Sequence, residues 1–291
     1  MLNWSTLRLA ILADIHANLH ALEAVLDDIS GQAVDHIIVN GDMVNRGPNN
    51  IQVMERVWDK GYTLILGNHD DLMRKWIDRD DDLPTDWFES DFWEGTAWCA
   101  RQLEGEGWID KLRRLPMTYR PDIKHAPSLL ISHGSPRHYR EGYSEYLPDN
   151  MLSEILQMHP ADVLVGSHTH QPMERRWGQN IIYNTGAVGT PFNRDVRAQY
   201  LILELKDKTW QAEFRAVDYD RQAAQQAFID SNYLAEGGLS AELFYLELIH
   251  ARSFLTPFWM WAEKKGLDHN RSSWQQFQKA SPERFEGVEL I

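Results

Sequence analysis

The sequence predicts an α/β fold built on a parallel sheet, and three features carry that reading. First, the run from Leu7 to Ala13 is short and almost unbroken in its apolar character, which suits a strand covered on both faces better than a half-exposed one. Second, residues 6–66 alternate strand, helix, strand, helix, strand, the βαβαβ order of a parallel sheet. Third, each of those strands stops at polar donors, and in open α/β sheets chemistry collects at the carboxyl ends of strands.

The elements follow in order. Leu7, Leu9, Ile11 and Ala13 lie along one side of the first strand. Asp14 and His16 stand where it stops, two residues apart, so on an extended segment both point the same way. An oxygen and a nitrogen donor there make half a metal site. A helix is expected over residues 19–30, with Ala21, Leu22, Val25, Leu26 and Ile29 on one face, Asn18 as its cap and Gly31 at its end. A second strand, 36–40, runs into Gly41-Asp42. After the turn Gly47-Pro48-Asn49, a helix carries Ile51, Val53, Met54 and Val57. The third strand, 63–66, leads directly into Gly67-Asn68-His69-Asp70.

Residues 71–120 break this rhythm. Acidic residues from Asp78 to Glu94 alternate with Trp76, Trp87, Phe88, Phe92, Trp93 and Trp98, with helical pieces near 72–77, 89–104 and 108–114. The span reads as a helical insertion anchored by aromatics, or as a cap that shapes access to a strand-tip site. Strands resume at 128–132, before His133-Gly134, and at 161–165, before Gly166-Ser167-His168-Thr169-His170. A helix with Met151, Ile155 and Met158 as apolar contacts lies between them, stopped by Pro160. A strand at 180–184 precedes Gly186 and Gly189. Residues 200–205 and 210–216 form an antiparallel pair. From Tyr219 the chain turns helical, best over 221–230 and 240–264, where Pro257 kinks or splits an apolar run interrupted by Glu242, Glu247, His250 and Arg252. That run suits packing on the sheets or a second subunit. Residues 270–291 read as a poorly ordered tail.

The bulk numbers exclude some functions. Across 291 residues the net charge is −14, so a broad basic surface for nucleic acid is not expected. Cys99 is the only cysteine, which points to a reducing, cytoplasmic setting. Neither a secretory signal nor a membrane span is visible.

Asp14, His16, Asp42, Asn68, His133, His168 and His170 are seven oxygen or imidazole donors from five loops. One core cannot easily bury so many unpaired polar groups, and seven donors suit two metals sharing a carboxylate. In their order and spacing, Asp14-Ile15-His16, Gly41-Asp42-Met43-Val44-Asn45-Arg46-Gly47, Gly67-Asn68-His69-Asp70, His133-Gly134 and Gly166-Ser167-His168-Thr169-His170 resemble the calcineurin-like metallophosphoesterase family over residues 8–205. The resemblance implies a four-layer α/β/β/α sandwich. Its catalytic domain would be residues 1–218, with the acidic, Trp-rich insertion, and 219–291 a helical extension. It implies a first metal on Asp14, His16, Asp42 and His170, a second on Asp42, Asn68, His133 and His168, and Asp42 as the bridge. Manganese is the first expectation; iron, zinc, nickel, cobalt and magnesium are the alternatives.

By the same resemblance, a metal-bridging hydroxide attacks phosphorus, His69 protonates the leaving group and Arg46 grips phosphate oxygens. Relative to protein serine/threonine phosphatases, Asn45 replaces an aspartate and Asp70 a glutamate. Asn45 can still orient His69, and Asp70 is a candidate substitute. The chain is closer to the small bacterial phosphoesterases. The expected substrate is a small phosphodiester, phosphomonoester or nucleotide; dinucleoside polyphosphate hydrolysis and protein phosphatase activity are the alternatives. A non-catalytic scaffold would be expected to have lost ligands, and none is missing here. Trp177, Tyr183 and Phe192 either stack on a base or fill the core. His138, in the loop after His133, is within reach of substrate.

Overall fold

The computed structural model describes residues 6–288. Its first half supplies three strands of one sheet and the helices over them. Strand β1 (Thr6–Leu12) leads to α1 (Leu19–Ser30), β2 (His36–Asn40), α2 (Asn50–Val57), β3 (Thr63–Ile65) and α3 (Asn68–Asp78). Two short 3-10 turns, Thr85–Glu89 and Asp91–Trp93, come before α4 (Glu94–Gly105) and α5 (Ile109–Leu112). The second half runs through β4 (Thr118–Tyr119), β5 (Leu129–Ser132), α6 (Asp149–Met158), β6 (Val163–Gly166), β7 (Pro172–Trp177), β8 (Asn180–Thr185), β9 (Ala198–Lys206) and β10 (Thr209–Val217). It ends in α7 (Arg221–Asp230), α8 (Tyr233–Glu236), α9 (Gly238–His250), α10 (Leu255–Lys265) and α11 (Arg271–Ala280).

Two five-stranded mixed sheets result, β10-β9-β1-β2-β3 and β4-β5-β6-β8-β7. β1, β2 and β3 pair in parallel, as do β5, β6 and β8, so the loops after them open on common edges. The near-continuous apolar character of β1 now has its cause. Leu7, Leu9 and Ile11 pack between the sheets with Ile131, Val165 and Leu203. Ala10 and Leu12 face the opposite way, onto Leu22 and Val25 of α1 and Met54 of α2. The second sheet repeats the arrangement, with Leu130, Leu164 and Ile182 under Leu152 and Ile155 of α6. The architecture is thus the four-layer α/β/β/α sandwich. Each branched side chain buried in it contributes roughly 1.5–3 kcal/mol.

Four details differ from the sequence expectation. On α6 the buried contacts are Leu152 and Ile155, whereas Met158 is 62% exposed. The apolar run at 240–264 is two helices: α9 ends at His250, with Ala251 left-handed (φ 47°), and Pro257 sits in the first turn of α10, where a missing N–H costs little. The expected tail contains α11, capped by the Asn270 side chain and anchored by buried Trp274 and Phe277. Strand β7 was not foreseen. It is an edge strand antiparallel to β8, with a charged Glu174-Arg175-Arg176 centre that hides its period.

Insertion and extension pack together. Phe92 joins Leu243, Phe258 and Trp274 in one apolar cluster. Trp98 of α4 lies 4.8 Å from Tyr233, ring to ring, and its indole N–H donates to Glu236. No helix among the described residues is long and apolar enough to cross a membrane.

One surface ion pair makes a pH prediction. Arg215 of β10 donates from Nε and Nη2 to the Asp28 carboxylate at the end of α1, both at 2.8 Å, and this holds the Asp28 carboxyl below its usual range. A depressed folded-state pKa gives stability that is complete above the unfolded value, about 3.9, and is lost as pH falls through the folded one. Asp28→Asn should therefore lower the melting temperature modestly at neutral pH and flatten the acid limb of the profile, with the two proteins converging as pH falls below the folded-state pKa.

Candidate metal centre

The strand ends deliver the donors by a different local geometry from the one expected. Asp14 and His16 lie beyond β1, and neither is extended: their φ values are 52° and 48°. Asp42 (52°), His168 (66°) and His170 (58°) are left-handed as well. Side chains therefore converge through tight turns, not through the pleat of a strand. Such backbone is unfavourable for non-glycine residues and persists where surroundings over-determine it. Here the loops are stitched to one another. Asp14 N–H donates to Gly41 O (3.1 Å), His16 N–H to Asp42 O (3.0 Å) and Gly189 N–H to Asp14 O (2.8 Å).

Three triads of potential ligands result, Asp14–His16–His170, Asp42–His133–His168 and, between them, His16–Asp42–His69, each with its donor atoms within 4.8 Å of one another. In the first, His170 Nε2 lies 3.2 Å from His16 Nε2 and 3.3 Å from Asp14 Oδ1. In the second, His133 Nε2 is 3.2 Å from Asp42 Oδ2. Asp42 Oδ2 is also 3.8 Å from His16 Nε2, so this carboxylate stands between the triads. Asn68 completes the second: its Oδ1 is 3.1 Å from His133 Nε2 and 2.8 Å from His168 Nδ1. All seven sequence-predicted donors thus meet in one place.

The donor set fits cations. Asp14 Oδ1, Asp42 Oδ2 and His16 Nδ1 are buried and lack a hydrogen-bond partner. Buried orphan carboxylate oxygens are costly without a positive charge. The outer ring nitrogens fix two tautomers: His133 Nδ1 donates to Asn40 O (2.8 Å) and His170 Nδ1 to Thr190 O (2.5 Å), which turns both Nε2 lone pairs inward. Burial drives His16 well below its ordinary pKa and His168 down to about 4, so both are neutral imidazoles ready to ligate. His133 goes the other way, to about 10: burial opposes its charge, but the Asp42 and Asp14 carboxylates outweigh it. Mixed oxygen and imidazole donors without thiolate suit transition or hard divalent ions.

Around the donors, Asn45 and Asp70 divide the labour differently from expectation. Asn45 Oδ1 accepts from the Arg46 amide (2.8 Å), which leaves Nδ2 to donate to His69 Nδ1 at 2.9 Å. The proton of neutral His69 is thereby placed on Nε2. Burial is the main reason that the His69 pKa falls to about 3. Asp70 does not face His69. It accepts backbone N–H groups from Asp42 and Met43 (both 2.9 Å), Val44 (3.3 Å) and Gly67 (3.0 Å), and so it shapes the Asp42 loop. Asp42 Oδ1 in turn accepts the His69 amide, in the first turn of α3, at 2.7 Å. A methyl group at Gly67 would overlap the Asp42 carboxylate and amide. Gly67→Ala should therefore cost about 1–3 kcal/mol in denaturant unfolding and weaken metal binding, read by calorimetry.

A cavity of about 460 Å³ adjoins the donors, walled by Trp87, Trp93 and Thr96 of the insertion and by Phe244, Leu255 and Thr256 of the extension. Phe192 lines it too, stacked on His170 at 4.3 Å, whereas Tyr183 fills the inter-sheet core and Trp177 packs near α6. His138 is exposed. Arg46 lines the cavity but is ion-paired with Glu247 of α9. Glu247 and Thr190 carried no site motif; a carboxylate interrupting an apolar run was the only signal for Glu247.

A family model described as calcineurin-like phosphoesterase matches residues 7–172. The chain is 27% identical over 237 residues to the uncharacterized protein MJ0912 of Methanocaldococcus jannaschii, covering 76% of this chain and 91% of that one. Among solved structures it is similar to a metallophosphoesterase from Sphaerobacter thermophilus, with 28% identity, a TM-score of 0.60, and coverage of 79% and 99%. It also shares its fold with hypothetical protein PH1004 from Pyrococcus horikoshii, at 19% identity, a TM-score of 0.68, and coverage of 85% and 100%.

Proposed function

We propose that this chain, which belongs to the calcineurin-like phosphoesterase family, hydrolyses phosphoester bonds in small phosphorylated compounds. The observation that carries the reading is the meeting of two donor triads at Asp42, with carboxylate oxygens left unpartnered in a buried site. Asp14, His16, Asp42 and His170 would hold one ion, and Asp42, Asn68, His133 and His168 the other. Two such ions, when bound, supply positive charge to the phosphoryl oxygens and make a water acidic enough to attack at neutral pH.

The protein's own residues do the rest. Asn45 holds His69 so that its Nε2–H can donate to the leaving-group oxygen. Arg46 presents a guanidinium at the cavity wall, and the aromatic side chains exclude water around the ester. Residues 1–218 carry the centre in this reading, and 219–291 close part of the cavity. Buried Cys99 suits a reducing compartment such as the cytoplasm.

Manganese is the first ion to load. The test is metal analysis together with turnover of bis(p-nitrophenyl) phosphate, p-nitrophenyl phosphate, cyclic nucleotides, diadenosine tetraphosphate and single-stranded DNA. Bound metal and ester hydrolysis are expected, with DNA the poorest substrate. Metal-replete protein that holds no ions and turns over none of these would end the proposal.

A further inference from the structure

Arg46 reaches the cavity as a neutralised group. Glu247, fully buried on α9, pairs with its guanidinium through Oε2. Oε1 of the same carboxylate accepts the amides of Phe254 (2.7 Å) and Leu255 (2.9 Å), which open α10. The guanidinium carbon lies 4.8 Å from the Phe244 ring centre and 5.4 Å from that of Phe192. One ion pair and two rings therefore fix Arg46, where water screens little. A buried carboxylate–guanidinium pair presents almost no net charge to an arriving anion.

The charge balance follows. Two divalent ions, when bound, would more than offset the carboxylates of Asp14 and Asp42 and leave the site positive toward a phosphoryl group. Arg46 would add a further positive charge, but Glu247 cancels it. Arg140 also lines the cavity, from an exposed position where its charge acts on the phosphoryl group less than a buried one would. We propose that Glu247 is a specificity-determining residue: by neutralising Arg46 it suits the site to phosphodiesters, which carry one negative charge at phosphorus, over doubly charged monoesters. The apolar wall of Trp87, Trp93, Phe192 and Phe244 agrees, because only a diester brings a second substituent to occupy it. This inference rests on the phosphoesterase reading above.

The test uses the full chain loaded with manganese, wild type against Glu247→Gln, Glu247→Asp and Thr256→Lys. Bis(p-nitrophenyl) phosphate and p-nitrophenyl phosphate share a leaving group, so their kcat/KM ratio reports charge and size at phosphorus. Wild type should favour the diester. Glu247→Gln should move the ratio toward the monoester by about tenfold or more, the scale of one unit charge acting across several ångströms of protein. Glu247→Asp, which keeps the charge, should stay nearer wild type. Thr256→Lys adds a cation at an exposed cavity position without breaking a buried pair, and should shift the ratio the same way by less. Independently of turnover, calorimetric titration with inorganic phosphate should show tighter binding to Glu247→Gln. A wild-type preference for the monoester would overturn the proposal. So would an unchanged ratio and phosphate affinity in folded Glu247→Gln or, should that variant not fold, in Thr256→Lys. If neither of these two esters turns over, phosphate affinity alone still decides the role of Glu247, while the phosphoesterase reading stands or falls on metal content and the full substrate set.

Discussion

Asp42→Asn should reduce turnover by at least a thousandfold and lower the bound metal from two ions per chain to one or none. The substitution keeps the shape of the side chain. It also keeps an oxygen to accept the His69 amide, so the first turn of α3 stays in register. What it removes is the charge on Oδ2, the atom 3.2 Å from His133 Nε2 and 3.8 Å from His16 Nε2, between the two triads. Losing one preorganised group that stabilises transition-state charge costs roughly 10²–10³. Losing the carboxylate shared by both ions removes more than one such group. Ligand binding raises apparent stability in proportion to affinity, so the rise in melting temperature on manganese addition should vanish in the variant. The metal-free variant should still melt cooperatively, which separates a metal defect from a folding defect. A variant that retains two ions and turns over within tenfold of wild type would show that Asp42 is not shared.

The donors were legible because each lies within a few residues of an apolar strand, and strand ends are a local signal. What failed was the local mechanism. Pairs at a two-residue spacing suggest a pleat, yet Asp14, His16, His168 and His170 converge through left-handed turns. No residue-type preference announces those turns, since the loops around them impose the backbone. The direction of Asp70 was also beyond reach: its four backbone partners lie on two loops that meet only in the fold. Glu247 is 201 residues from Arg46, and its pairing depends on how the extension docks. The segment after residue 270 was misread for a different reason. Its polar composition outweighed one short apolar stripe, Trp274 and Phe277, which suffices once Phe258 and Leu243 offer a surface.

His69→Gln should separate protonation of the leaving group from metal ligation. The geometry admits both roles. His69 forms a third triad with His16 and Asp42, with donor atoms within 4.8 Å, and its ring meets that of His16 edge-on at 4.9 Å. Against ligation stands its neighbour: Asn45 donates to Nδ1, which leaves Nε2 carrying a proton and unable to offer a lone pair. A donor aimed at the leaving group matters in proportion to the basicity of the departing oxygen. Hydrolysis of an alkyl ester, whose alkoxide needs a proton, should therefore fall by roughly 10²–10⁴ in His69→Gln, while release of p-nitrophenolate, already a stable anion, should fall far less. Metal content should stay at the wild-type level. Asn45→Ala should show the same leaving-group dependence at smaller amplitude, because it leaves the imidazole in place but free to rotate or change tautomer. Equal losses on both esters, or the loss of an ion from His69→Gln, would instead make His69 a ligand, and the proton for the leaving group would then have to come from solvent.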